Sequence, residues 1–263
     1  MTAGLRFEDL EFVVLWEQAT GEAMPAPFLY TSRTPMYYDY LREKRQVYEG
    51  LQGRWTRRLD LLTDAIAEPD IRISVNGFDG RDPARADGRV RMVALRRGSY
   101  GYLVEQLPGE TYLHSGGFTV TECDPVALAE MVVATLPQVQ AGRQSDITLQ
   151  VPDEPDSGYD EYSRSLIDDI FEDPIGQRAK RFLTAPMACM GTIEVVQGSS
   201  KFGPRGITAR QLDWRDVEDD GRYVIGGDEL PYVAVSADPK RMITAINSRV
   251  AAVVQAIREE RGQ

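Results

Sequence analysis

Any catalytic reading of this chain of 263 residues has to start from one histidine and two cysteines. His114 follows Tyr112 and Leu113 in an alternating, strand-like pattern, so a Ser-His-Asp or Cys-His arrangement would have to be built on it alone. A structural histidine is the better reading. Cys123 and Cys189 lie far apart with no C-x-x-C pairing, which argues against a disulfide framework, a zinc knuckle or a redox pair. They read as reduced, packed thiols. A zinc or copper site needs several His or Cys ligands at matched spacing, and these residues stand at unrelated positions. Neither metal nor cofactor is expected.

The remaining chemistry would have to come from carboxylates or a phosphate loop. The acidic run 153–161 invites a calcium-loop reading, but Pro155 stands where the third-position ligand belongs and Arg164 where the twelfth-position Glu belongs. A solvated linker explains it better. The loop from Gly198 to Gly206 is rich in glycine and contains Lys201, yet it lacks the G-x-x-x-x-G-K-[ST] order. It also reads as joining two antiparallel strands instead of leading a strand into a helix. Asp168, Asp169, Glu172 and Asp173 could supply the paired carboxylates of glycosidase-type acid/base work. On a helix that ends at Pro174 they read as an exposed polar face.

The elements that would position these groups follow from periodicity. Leu10, Val13, Val14 and Trp16 predict an amphipathic helix over 8–19, stopped by Gly21 and the Pro25/Pro27 pair. Thr34 before Pro35 predicts an N-cap and first helical position, with Tyr37, Tyr40, Leu41, Tyr48 and Leu51 following at helical spacing. A further helix is expected over 54–67. From Ile71 to Val120 the period changes to two, as in half-buried antiparallel strands. Asp124-Pro125 opens a helix carrying Leu128, Met131, Val132 and Leu136. A linker is expected over 152–162, helices over 162–171 and 175–183, a second strand set over 191–236, and a last helix from Pro239. The fold class is α+β, a central antiparallel sheet with flanking helices.

Net charge narrows the partners. An excess of 41 acidic over 30 basic residues gives a formal charge of −11, whose field repels phosphate backbones and anionic headgroups. No nucleic acid is expected. No apolar run approaches the roughly 20 residues needed to span a bilayer, and residues 1–8 lack the basic and apolar regions of a secretory signal. The expected location is the cytoplasm, with no membrane insertion. A hydrophobic content of 42% suffices for a sizeable core.

The strongest organisational signal is a repeat. Leu62-Thr63, a strand from Ile71, a Gly-rich loop, Gly101-Tyr102-Leu103-Val104 and Asp124-Pro125 recur in order as Leu183-Thr184, a strand from Ile193, the 198–204 loop, Gly221-Arg222-Tyr223-Val224 and Asp238-Pro239. A strand meander closed by one helix therefore occurs twice. The expected organisation is two pseudo-symmetric halves, 1–145 and 146–263, in one compact body.

As a whole pattern the second half resembles the EspG family, cytosolic specific chaperones of actinobacterial type VII (ESX) secretion. The strand at 191–196, the segment reaching Leu212-Asp213-Trp214, the Gly221-Arg222-Tyr223 turn and the Ala237-Asp238-Pro239 helix start carry the likeness, and the first half agrees with it. The resemblance implies binding the apolar tip of a PPE-type protein within a PE–PPE heterodimer and keeping it soluble for export. It also implies that the loop after the second strand, 77–88 here, and the C-terminal helices make the contact. Phe78, Asp79, Arg81, Asp82, Arg85 and Asp87, with the adjacent Arg89, are the expected partner-binding residues. Glycine and proline breakers among charges predict a segment that orders on its partner. A binding module without chemistry is favoured because nothing assembles nucleophile, base and oxyanion donors. A carboxylate-dependent hydrolase of unknown substrate and a self-assembling subunit remain as alternatives, and a weak homodimer is compatible with the first reading.

Overall fold

Strict alternation decides the centre of the molecule. In the computed structural model, which describes residues 4–149, 174–226 and 230–262, Ile71, Ile73 and Val75 of β2 (Ile71–Asp79) are buried on one face. Strand β7 (Met187–Gln197) runs antiparallel beside it, with Val195 opposite Ile73 and Ile193 opposite Val75. All four of these side chains are sealed from solvent. At about 1.5–3 kcal/mol for each large aliphatic side chain buried, this junction is a main source of cohesion.

The sheet grows outward from that junction by hairpins. On one side lie β3 (Val90–Arg97), β4 (Tyr100–Pro108), β5 (Ser115–Cys123) and the short β1 (Leu5–Phe7). On the other lie β8 (Ala209–Val217), β9 (Gly221–Gly226), β10 (Tyr232–Ser236) and the short β6 (Ile147–Leu149). The order is β1-β5-β4-β3-β2-β7-β8-β9-β10-β6, with every neighbouring pair antiparallel. Read outward from the junction, both halves show the same succession of hairpin, hairpin, hairpin and early edge strand.

Helices α4 (Leu128–Thr135) and α6 (Pro239–Arg261) cover one face, packing Val132, Met242, Ile246 and Val253 on Ile73, Met92, Leu103, Ile193, Leu212 and Trp214. The intervening strand positions point the other way. On that side α1 (Asp9–Thr20), α2 (Tyr37–Gly53) and α3 (Arg57–Ala67) bury Phe12, Leu15, Leu51, Leu62 and Ile66 with Val93, Leu95, Val104 and Phe118. Over the second half, α5 (Pro174–Thr184) sets Ala179 and Phe182 against Tyr223, Ile225 and Ala234. The fold is α+β, as the sequence pattern implies.

Several boundaries differ from the sequence reading for local reasons. Thr34 does not cap α2, because its hydroxyl donates to Glu43 Oε2 (2.5 Å); the helix begins at Tyr37 with Met36 in the cap position. Helix α3 starts at Arg57, since α2 runs on to Gly53 and the Trp55 indole turns aside to donate to Asp60 Oδ1 (2.6 Å). Asp124-Pro125 opens a turn before α4, with Asp124 Oδ1 accepting from Val126 N (3.0 Å) and its carbonyl from Ala127 N (2.9 Å). Asp238 does cap α6, accepting from Arg241 N at 2.7 Å with Pro239 in the first turn. Tyr112 and His114 lie in the loop between β4 and β5 and not in a strand. The linker expected over 152–162, the helix over 162–171, the acidic run 153–161 and the carboxylates Asp168, Asp169, Glu172 and Asp173 lie outside the described residues.

Candidate partner-binding surface

At one end of the sheet, the β2–β3 connection projects beside the start of β7 and the end of β8. Strand pairing continues through Asp79 opposite Cys189, so Gly77, Phe78 and Asp79 belong to β2 and only 80–89 is loop. The expected loop over 77–88 is corrected in this respect. Gly80 is required at the turn because a Cβ there would sit 2.5 Å from the Met187 carbonyl oxygen.

The loop is tied down more closely than its composition suggests. Asp79 Oδ1 accepts from Arg81 N (2.8 Å) and Asp82 N (3.2 Å), and these amide bonds hold its carboxyl below the usual carboxylate range. Its other oxygen accepts from Arg85 Nη1 (3.0 Å). Arg85 also forks onto Asp87, Nε to Oδ1 at 2.7 Å and Nη2 to Oδ2 at 3.0 Å, which lowers the Asp87 carboxyl. Asp82 caps the next turn through Ala84 N (3.0 Å). Arg81 crosses to the β8–β9 turn and pairs through Nε and Nη2 with both oxygens of Glu218.

Arg89 closes the loop at its base. Its guanidinium lies 5.5 Å from the Phe78 ring centroid and 5.2 Å from that of Tyr112, between two aromatic faces, and donates to the Pro83 carbonyl. Phe78, Asp79, Arg81, Asp82, Arg85, Asp87 and Arg89 are thus brought together in one hairpin end. Sequence reasoning missed Tyr112 and Glu218, which clasp it from either side. The alternation of Tyr112 with His114 imitates a strand, and nothing local to Glu218 points to Arg81.

The other candidates for chemistry stay apart. His114 Nδ1 faces Thr111 Oγ1 at 2.8 Å within its own loop. Cys123 and Cys189 are free thiols, both pushed up to about 11 by burial, which makes them poor nucleophiles. Among the described residues no group of three His, Cys, Asp or Glu side chains could hold a metal ion, and no helix is long and apolar enough to cross a membrane. The 198–208 loop joins β7 to β8, and Glu260 of α6 accepts from Gln197 Nε2 (2.5 Å) and Ser200 Oγ (2.7 Å) and also from Lys201 N. Its glycines serve a pinned turn.

The fold is that of an α+β protein with a ten-stranded antiparallel sheet as scaffold and this clasped hairpin at one end. The sequence model of the EspG family matches residues 8–248, and the chain belongs to that family. Among solved structures it is similar to the Mycobacterium tuberculosis type VII secretion system chaperone EspG5 in complex with the PE25–PPE41 dimer. The TM-score is 0.57 at 13% identity, covering 94% of this chain and 96% of that one. At this identity the likeness is one of fold. No match is found among curated proteins.

Proposed function

We propose that this protein is a cytoplasmic chaperone of a type VII (ESX) secretion system that binds the PPE-type member of a PE–PPE heterodimer and keeps the pair soluble for export. Membership of the EspG family across most of the chain is the observation that carries this reading. A fold shared along nearly its full length with a chaperone solved on a PE–PPE dimer supports it. In this reading the halves 1–145 and 146–263 together form one compact body. Phe78, Asp79, Arg81, Asp82, Arg85, Asp87 and Arg89 form the contact, and the protein works by binding alone, without a catalytic step.

The experiment is co-expression of a PE–PPE pair with and without this protein, followed by size-exclusion chromatography. A soluble ternary complex is expected, and client aggregation without the protein. Replacing 80–88 with a two-residue Gly-Gly turn, which leaves Phe78 and Asp79 in β2, should keep the fold and weaken the complex. If client solubility is unchanged and nothing co-elutes with any PE–PPE pair, the chaperone reading falls.

A further inference from the structure

We propose that Tyr112 and Glu218 are positioning residues which hold the 80–89 loop as a preformed hairpin, so that it meets its partner already ordered. The inference rests on this loop being the recognition element proposed above.

The two clasps come from opposite flanks. On one side the Arg89 guanidinium is enclosed by the Phe78 and Tyr112 rings, and its Nε is buried without a hydrogen-bond partner. The rings and the Pro83 carbonyl are therefore protein contacts that stabilise that charge. Tyr112 is itself anchored, because the largely buried Arg91 donates from Nη2 to its carbonyl at 2.7 Å. The β4–β5 loop, β3 and the base of the recognition loop are thereby locked together.

On the other side Glu218 is a fixed post. Its side chain is only 17% exposed while that of Arg81 is 71% exposed, and its own amide donates to the Pro186 carbonyl at 3.0 Å. Arg81 reaches it with two parallel N–H groups, a geometry that fixes direction as well as distance. The two partners are 137 residues apart in the chain, so the contact ties a loop of the first half to a turn of the second. A loop held at both flanks has already lost the conformational freedom that a slack one would lose on binding, which favours affinity without any new contact.

The test uses the full chain and a purified PE–PPE heterodimer, with amide hydrogen exchange of the loop and binding by calorimetry as separate readouts. Glu218→Gln and Tyr112→Ala should each speed exchange at the amides of Asp82 and of Ala84 to Asp87. Each should weaken binding about two- to fivefold, the range for single partly exposed contacts. Tyr112→Phe should behave as wild type, because the ring is kept. Exchanging the pair, Arg81→Glu with Glu218→Arg, should return slow exchange, which a merely destabilising change at 218 would not. Unchanged exchange in both single variants, or a freed loop with undiminished affinity, overturns the proposal. The Gly-Gly replacement of 80–88 separates the two readings. If it binds as wild type, the loop is not the recognition element and the proposal falls with it. If it loses binding while Glu218→Gln and Tyr112→Ala do not, the positioning role alone fails.

Discussion

Removing the Asp216 carboxylate should be strongly destabilising, because it strands a buried charge. Asp216 on β8 lies directly opposite Arg222 on β9, and the two side chains are 1% and 3% exposed. Arg222 Nε donates to Oδ1 at 2.6 Å and Nη2 to Oδ2 at 2.8 Å, while Nη2 also donates to the Pro137 carbonyl at 2.8 Å. Asp216→Ala leaves that guanidinium buried with one carbonyl, and breaking a buried pair from one side costs about 3–5 kcal/mol. The loss is a large share of the roughly 5–15 kcal/mol that holds a typical domain folded. At about 2–4 °C per kcal/mol for a chain near this size, the melting temperature should fall by on the order of 10 °C. Urea denaturation followed by circular dichroism measures it, with the midpoint shifting at unchanged slope. The double replacement Asp216→Leu with Arg222→Met should recover most of the loss, because no charge is then stranded. A single variant within about 1 kcal/mol of wild type, or a double variant no better than the single, would refute the reasoning.

Gly77→Ala should destabilise the protein by about 1–3 kcal/mol, since the new Cβ would lie 2.7 Å from Trp214 Cζ2 and the indole is fully enclosed; a melting temperature equal to wild type would show that the indole can move. Glu110, paired with Arg33 at 2.7 and 2.8 Å, is held down to about 2 from an ordinary 4.5, chiefly by those hydrogen bonds. Its contribution to stability is therefore present above about 4.5 and lost as pH falls through that value toward about 2. Carboxyl NMR titration should show the low midpoint in wild type and a return toward 4.5 in Arg33→Ala. Expressing 146–263 alone uncovers the edge of β7 that carries Ile193 and Val195, so the fragment should aggregate unless 1–145 is supplied with it. A soluble, folded fragment would make the halves independent domains.

Much of the fold was legible because it is written in short-range periodicity. The alternation of Ile71, Ile73 and Val75 placed β2, and Asp238-Pro239 placed the start of α6 with its cap. The repeat of landmarks gave two meanders, although not which strands would meet; the β2–β7 pairing is a long-range fact. The misplaced helix starts share a cause, a side chain bonded otherwise than its local pattern implies. Thr34 looked like a cap and bonds Glu43, and Trp55 looked helical and bonds Asp60. At the candidate site the seven hairpin residues could be named from resemblance, whereas Glu218 and Tyr112 could not, because their contacts with Arg81 and Arg89 close over long stretches of chain. The loop's charges, which read as free for a partner, are largely used on one another.

The sheet order also bears on valency. A scaffold made of two like halves would offer two equivalent hairpin ends, 80–89 at one extremity of the sheet and 198–208 at the other, since Asp79 faces Cys189 at the first and Ile71 faces Gln197 at the second. The helices that follow the two meanders are unequal, however: α4 has 8 residues and α6 has 23. The longer one reaches back to the second hairpin, where Glu260 takes up Gln197, Ser200 and Lys201. One end is thus engaged by α6, whereas the other is clasped by Glu218 and Tyr112 from neighbouring turns. If the 80–89 end is the client contact proposed above, it is presented once, and size-exclusion chromatography should show a 1:1 complex with none of the avidity that two open ends would confer.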